Sequence, residues 1–145
     1  MELKNIGIKA AKPAGKCDDD NCPFHGRLKC RGRTFVGTII SAKMQKTATV
    51  SWERRHFLKK YERYEKRKSK VKAHNPACIN AHDGDIVKIM ECRPLSKTKN
   101  FVIVEVLGKE KGFKERMEAE EEAKAKKDVE KNEEQTDKSE RKVDV

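Results

Sequence analysis

The chain has 145 residues and a formal net charge of +11, with 41% charged and 35% apolar side chains. This suits one small core with charged extensions and excludes a large enzyme core. No apolar run approaches the ~18 residues that cross a bilayer, residues 1–9 lack a hydrophobic signal core, and five cysteines without such a signal point to thiols or a metal site rather than a disulfide framework.

The charge is unevenly spread. Residues 1–25 hold four bases and four acids, residues 26–111 hold 22 bases and eight acids, and residues 112–145 hold nine bases and twelve acids. The middle is therefore a basic domain whose expected partner is nucleic acid or an anionic surface. Three regions follow: an N-terminal extension over 1–30, a folded domain over 31–110 and a charged tail over 111–145.

In chain order, residues 1–16 are expected to be irregular, with Pro13 and Gly15 as breakers. From Arg33 the pattern changes. Residues 34–41 are rich in β-branched side chains and read as a strand, with Gly37 expected at a bulge or bend. Residues 46–55 alternate, with Ala48, Val50 and Trp52 on one face and Thr47, Thr49 and Ser51 on the other, the mark of a half-buried strand. Residues 43–46 make a hairpin-length connection between the two.

Between Arg54 and Lys72 come ten Lys or Arg, two acids and three aromatics. Like charge at this density repels itself and needs a polyanion to settle against. The apolar positions Phe57, Leu58, Tyr61, Tyr64 and Val71 fit neither period. The spacing from Leu58 to Tyr61 to Tyr64 hints at a helical turn, and strand pairing towards Val71 is the alternative. Asn75–Pro76 breaks the chain and residues 82–85 form a turn. Residues 86–92 read as a strand ended by Pro94, and residues 101–107, the most apolar run, as a buried strand closed by Gly108. Four strands and one uncertain segment predict an all-β, five-stranded oligonucleotide-binding-type barrel with a long basic excursion between strands two and three. Past Gly112, Glu120–Lys124 and Glu122–Lys126 have helix-supporting spacing without an apolar stripe. A charged tail is expected, partly helical and increasingly disordered towards Val145.

Cys17, Cys22, His25 and Cys30 place four soft or borderline ligands within 14 residues. Tetrahedral zinc accepts such a Cys3His set, and its role would be structural, pinning a segment too polar to fold alone. Cys78 is a rival fourth ligand from across the fold. Asp18, Asp19 and Asp20, between the first two thiols, are expected to raise the thiol pKa while attracting a cation. The alternative is that the thiols are small buried hydrophobes, as expected for Cys92.

The order Gly84-Asp-Ile-Val-Lys-Ile-Met-Glu-Cys-Arg-Pro-Leu-Ser96, extended by Lys97-Thr98-Lys99, resembles the signature of the small-subunit ribosomal protein seventeen family. Arg31-Gly-Arg33, Met44-Gln-Lys-Thr47 and Lys60-Tyr-Glu-Arg-Tyr64 are similar to it too, and Cys22-Pro-Phe-His-Gly26 resembles its archaeal branch. The resemblance covers roughly residues 17–107; the tail past Gly112 departs from the shorter members. It implies a cytoplasmic protein of the small ribosomal subunit that binds the subunit's RNA during assembly, beside other ribosomal proteins, without catalysis.

On that reading Arg54, Arg55, Lys59, Lys60, Arg63, Lys66, Arg67, Lys68, Lys70 and Lys72 would contact phosphates from an arm laid between RNA helices. Arg31, Arg33, Lys43 and Lys46 would extend the surface. Arg93, Ser96, Lys97, Thr98 and Lys99 would grip a second RNA segment, so that two distant basic elements clamp a folded junction. Tyr61 and Tyr64 would stack on unpaired bases or, alternatively, cap the barrel.

Other classes fit less well. A zinc hydrolase or deaminase needs a general acid/base beside the metal, and no Glu follows His25. His56, His74 and His82 show no partner pattern and are expected at the surface or on RNA. No glycine-rich phosphate loop is present. A single-strand binder displays aromatics on its strand faces, where this chain offers Thr and Ser. A membrane-surface role fits the charge but not the barrel.

Overall fold

A computed structural model describes residues 5–8, 10–13, 15–120 and 122–123. The chain divides into two compact units, Met1–Glu110 and Lys111–Val145. The first contains five strands: β1 (Cys30–Met44), β2 (Thr47–Leu58), β3 (Arg63–His74), β4 (Asp85–Ser96) and β5 (Lys99–Lys109). They pair in the order β1-β2-β3-β5-β4 and close into a barrel through β4 on β1. Only β3 and β5 run parallel. This is the expected oligonucleotide-binding barrel.

The alternation read in residues 46–55 holds. Ala48 and Val50 point inward and are fully buried, joined by Ile39, Ala73, Val87, Ile89 and Ile103. Phe35 stacks on Trp52 at 4.7 Å and meets Phe101 edge-on at 6.0 Å, against the same core.

A second core lies on the outside of the barrel. Met90 and Cys92 of β4 and Val102 and Val104 of β5 alternate with the inward residues, so their side chains leave the barrel on its far face. Cys22, Phe24 and Leu28 cover them, with Ile6, Ile8 and Ala10 packed alongside. The described residues of the N-terminal extension before Cys17 are irregular, as expected, and they form part of a lid on β4 and β5. The Ala11 N–H donates to Glu105 Oε1 at 3.0 Å and helps hold it there.

Two local expectations are corrected. Pro94 does not end β4, which continues to Ser96; the register shifts between Glu91 and Ser96, the irregular setting in which a residue without an N–H is tolerated. Gly37 marks no bulge, since it pairs in register with Val87 and the β1 irregularities fall before Thr34 and after Ile39. A Cβ there would lie 2.6 Å from the Ser51 carbonyl oxygen and 2.9 Å from Val50 Cγ1, so glycine permits close approach of two strands.

In the second unit, residues 113–120 are helical, and the Arg116 N–H donates to the Gly112 carbonyl. The Arg116 guanidinium lies 5.6 Å from the Phe113 ring centroid. Lys124, Lys126 and the stretch towards Val145 lie outside the described residues.

Candidate nucleic-acid interface and metal centre

The basic excursion is not a loop. β2 and β3 continue through it as a regular antiparallel hairpin, paired without a shift from Thr47–His74 out to Leu58–Arg63. A 3-10 turn at Lys59–Tyr61 and Glu62 in the left-handed region at φ 48° close its tip. Of the helical turn hinted at by Leu58, Tyr61 and Tyr64, only the short 3-10 tip is found, with Tyr64 on β3, and the strand pairing towards Val71 is real. From Glu53 outward the side chains are mostly exposed, so about six residue pairs, or about 20 Å of ladder, project beyond the barrel.

Strand alternation sorts the charges onto two faces. Lys66, Lys68, Lys70 and Lys72 recur at every second position of β3, and Arg55, opposite Lys66, joins them. Their spacing is about 6.6 Å. The other face carries Arg54 opposite Arg67 and Arg63 opposite Leu58. Arg67 also contacts the Glu65 carboxylate. Two directly opposed pairs, Arg54–Arg67 and Arg55–Lys66, are therefore cation on cation, each unfavourable by about 0.2–1 kcal/mol. A hairpin serving only its own stability has no reason to place them so.

The tip is aromatic. Phe57 and Tyr64 form a tilted cross-strand pair 5.1 Å apart on the lysine face, and Lys60 Nζ sits 5.4 Å from the Tyr61 centroid. Tyr61 and Tyr64 are 62% and 69% exposed. They do not cap the barrel.

The Lys97–Thr98 turn between β4 and β5 is not a separate jaw. Parallel pairing sets Lys99 against Lys72, and Lys99 Nζ donates to Thr47 Oγ1 at 3.1 Å. Lys46 adjoins Thr47, and Lys43 lies at the other end of that turn. The two elements expected to clamp a junction thus form one track: hairpin ladder, Lys72, Lys99, then exposed Ser96, Lys97 and Thr98. Arg31 and Arg33 lie at the start of β1 near Arg93, because Cys30 pairs with Cys92.

Cys17, Cys22, His25 and Cys78 bring their ligand atoms within 4.8 Å of one another, a group that can hold a metal ion. His25 Nδ1 lies 3.4 Å from Cys17 Sγ and 3.5 Å from Cys22 Sγ, and Cys22 Sγ lies 3.6 Å from Cys78 Sγ. The turn is built by Cys22 N–H donating to the Asp19 carbonyl, Gly26 N–H to that of Cys22 and Arg27 N–H to that of Asp20. Gly26 is essential to it, since a Cβ would fall 2.3 Å from the Asp20 carbonyl oxygen. Cys78 is presented by the loop after β3, which Asn75 closes by bonding both the N–H and the carbonyl of Ala81.

Cys30 is not part of the group. It sits on β1 facing Cys92, where burial, then Cys92, push its thiol up to about 12. Its closeness in sequence to Cys17, Cys22 and His25 suggested it, but β1 starts at Cys30 and turns it towards Cys92. The aspartates also act differently from expectation. Burial, not their charge, raises Cys22 and Cys78, and Asp19 turns away. Its Oδ2 accepts from His74 Nε2 at 2.9 Å and lies 3.9 Å from Lys46 Nζ. His74, expected at the surface, is buried at 2% exposure. Burial lowers its pKa against the pull of Asp19.

The molecule is thus a closed basic barrel with a projecting cationic hairpin and a cysteine/histidine knuckle. The ribosomal protein S17 family model matches residues 37–105. The small ribosomal subunit protein uS17 of Methanocaldococcus jannaschii is 56% identical over 109 residues, covering 75% of this chain and 93% of that protein. The proteins of the same description from Methanopyrus kandleri and Methanoculleus marisnigri are each 53% identical over 104 residues; each match covers 72% of this chain, and 88% and 96% of the relative respectively. The chain belongs to the ribosomal protein S17 family, a family of ribosomal proteins and not of enzymes.

Proposed function

We propose that the chain is a structural component of the small ribosomal subunit that binds small-subunit ribosomal RNA directly through the β2–β3 hairpin and the adjoining Ser96–Lys99 turn, supporting its folding beside neighbouring ribosomal proteins. The observation that carries this is the opposition of Arg54 to Arg67 and of Arg55 to Lys66, which repel one another until phosphates lie between them. Lys66, Lys68, Lys70 and Lys72 would follow one RNA backbone, and Phe57, Tyr61 and Tyr64 would stack on unpaired bases at the tip, each for about 1–3 kcal/mol. Binding to a small-subunit RNA fragment should fall steeply with salt. Neutralising Lys97 and Lys99 together should weaken it more than removing two charges from the 113–120 helix. Unchanged affinity in the Lys97/Lys99 variant would remove the turn from the interface.

The Cys17–Cys22–His25–Cys78 group reads as a structural zinc site. With Zn–S near 2.3 Å and Zn–N near 2.0 Å, a tetrahedron has ligand–ligand edges of roughly 3.5–3.8 Å, and the separations of 3.4, 3.5 and 3.6 Å fit them. Four protein ligands would leave no open position, so the ion would hold the lid to the loop after β3. Metal analysis of protein prepared without chelators should give one zinc per chain; a value below roughly 0.2 would remove the site.

A further inference from the structure

The sequence pattern singled out Arg31 and Arg33 but passed over Arg27 and Lys29. Arg27, Lys29 and Arg31 are exposed, while Leu28 between them is buried and Cys30 is half-buried. The exposure alternates from the end of the cysteine/histidine turn into β1, so the three cations all face solvent where the lid joins the barrel. Among the described residues no ion pair or hydrogen bond engages these three side chains. Arg93 adjoins the row through the Cys30–Cys92 pairing, and its Nη2 donates to Asn21 Oδ1 at 3.3 Å. The nearby Glu91 carboxylate accepts the Arg33 backbone N–H at 3.1 Å.

Beside the row lies a groove of about 590 Å³. Ile6, Pro23 and Leu28 give it apolar walls, and Asn5, Arg27 and Arg31 line it as well. Its size and its mix of apolar walls with a few polar groups suit a small planar ligand. Asn5 Oδ1 accepts from the Gly7 N–H at 3.0 Å, which leaves the amide hydrogens of Asn5 to meet a base edge. Apolar walls, an amide and a flanking line of cations match an unstacked base together with its own backbone.

We propose that this groove takes one base turned out of a single-stranded segment of RNA, whose phosphates run along Arg27, Lys29 and Arg31. The inference rests on the reading of the chain as an RNA-binding protein and adds a second contact, made by the lid rather than by the hairpin. A duplex does not fit it, because a paired base cannot enter the groove.

The test uses the full chain and a small-subunit ribosomal RNA fragment with 4-thiouridine at its unpaired positions. Ultraviolet cross-linking and peptide mapping should join RNA to peptides covering residues 5–8 or 23–31, in addition to the hairpin. Arg27→Gln combined with Lys29→Gln should weaken binding roughly tenfold and reduce the slope of log K against log salt by about 1.4, without changing the melting temperature. Ile6→Ala, which changes no charge, should weaken the lid cross-links and leave the salt slope alone. Cross-links confined to the hairpin, with an unchanged slope in the double variant, overturn the inference and leave the hairpin reading standing. A wild-type chain that does not bind the fragment overturns both.

Discussion

Asp19 accepts a 2.9 Å hydrogen bond from His74 Nε2 across 55 residues of sequence, and both side chains are buried. The bond joins the lid to the last residue of β3, next to the loop that carries Cys78. With Nε2–H as the donor, Nδ1 is the unprotonated nitrogen, and it is buried without a partner among the described residues. Asp19→Ala leaves a buried N–H without an acceptor, which should cost about 1–3 kcal/mol in urea unfolding, while Asp19→Asn keeps an acceptor and should cost less. Equal losses for the two would show that the charge of Asp19, and not its hydrogen bond, matters.

The same pair sets an acid limit. His74 has a lowered pKa, mainly through burial and against the opposing pull of Asp19. The folded chain therefore prefers the neutral ring, whereas the unfolded chain gains a proton near pH ~6.5. This contribution is complete above that pH and is lost as the pH falls below it. Thermal melts should decline between about pH 7 and pH 5, and His74→Gln should flatten the decline. A variant whose curve keeps the wild-type slope would assign the loss to other groups.

The two candidate fourth ligands can be separated directly. Cys78→Ala should abolish zinc binding and lower the melting temperature, whereas Cys30→Ala should keep the metal and lose only packing, roughly 1 kcal/mol. Zinc content by mass spectrometry of the two purified variants decides the matter. Retention of zinc by Cys78→Ala would contradict the geometry.

The opposed cations predict a trade. Lys66→Glu places a carboxylate across from Arg55 and should stabilise the free protein by about 0.2–1 kcal/mol. It should also weaken RNA binding and its salt dependence. Calorimetric melts and filter binding on one preparation read both effects. A variant that is less stable and binds equally well would reverse the argument.

Replacing both Phe57 and Tyr64 by Ala removes the tip pair and should cost about 1–3 kcal/mol of affinity for RNA containing unpaired bases. The melting temperature should hardly move, because both rings lie on the projecting ladder, 44% and 69% exposed. A large drop in stability with full affinity would make the pair a structural staple of the hairpin.

The barrel was legible because its inward residues obey a period of two: Ala48, Val50 and Trp52 predicted their own faces. The hairpin was legible as charge but not as shape. Beyond Trp52 no core sets a period, so Arg54–Lys72 looked aperiodic, although pairing simply continued from Thr47–His74 to Leu58–Arg63. The lid was hidden for a related reason. Met90, Cys92, Val102 and Val104 leave β4 and β5 apolar on both faces, and that was the available signal that something covers the barrel from outside. Local spacing favoured Cys30 as a ligand, whereas Cys78, 56 residues from Cys22, is near it only in the fold. His74 was missed because one histidine without a nearby partner shows nothing of an aspartate at Asp19.

The lid also fixes an order of events. Cys22 waits for Cys78, Asp19 for His74, and Ala11 for Glu105, 94 residues later. During synthesis, residues 5–28 therefore emerge with three of the four knuckle ligands and nothing to lie on until β4 and β5 have been made. Contacts of such long sequence separation form late and close slowly. An ion held by Cys17, Cys22 and His25 before Cys78 has been made would act as a bookmark that the finished barrel later closes upon.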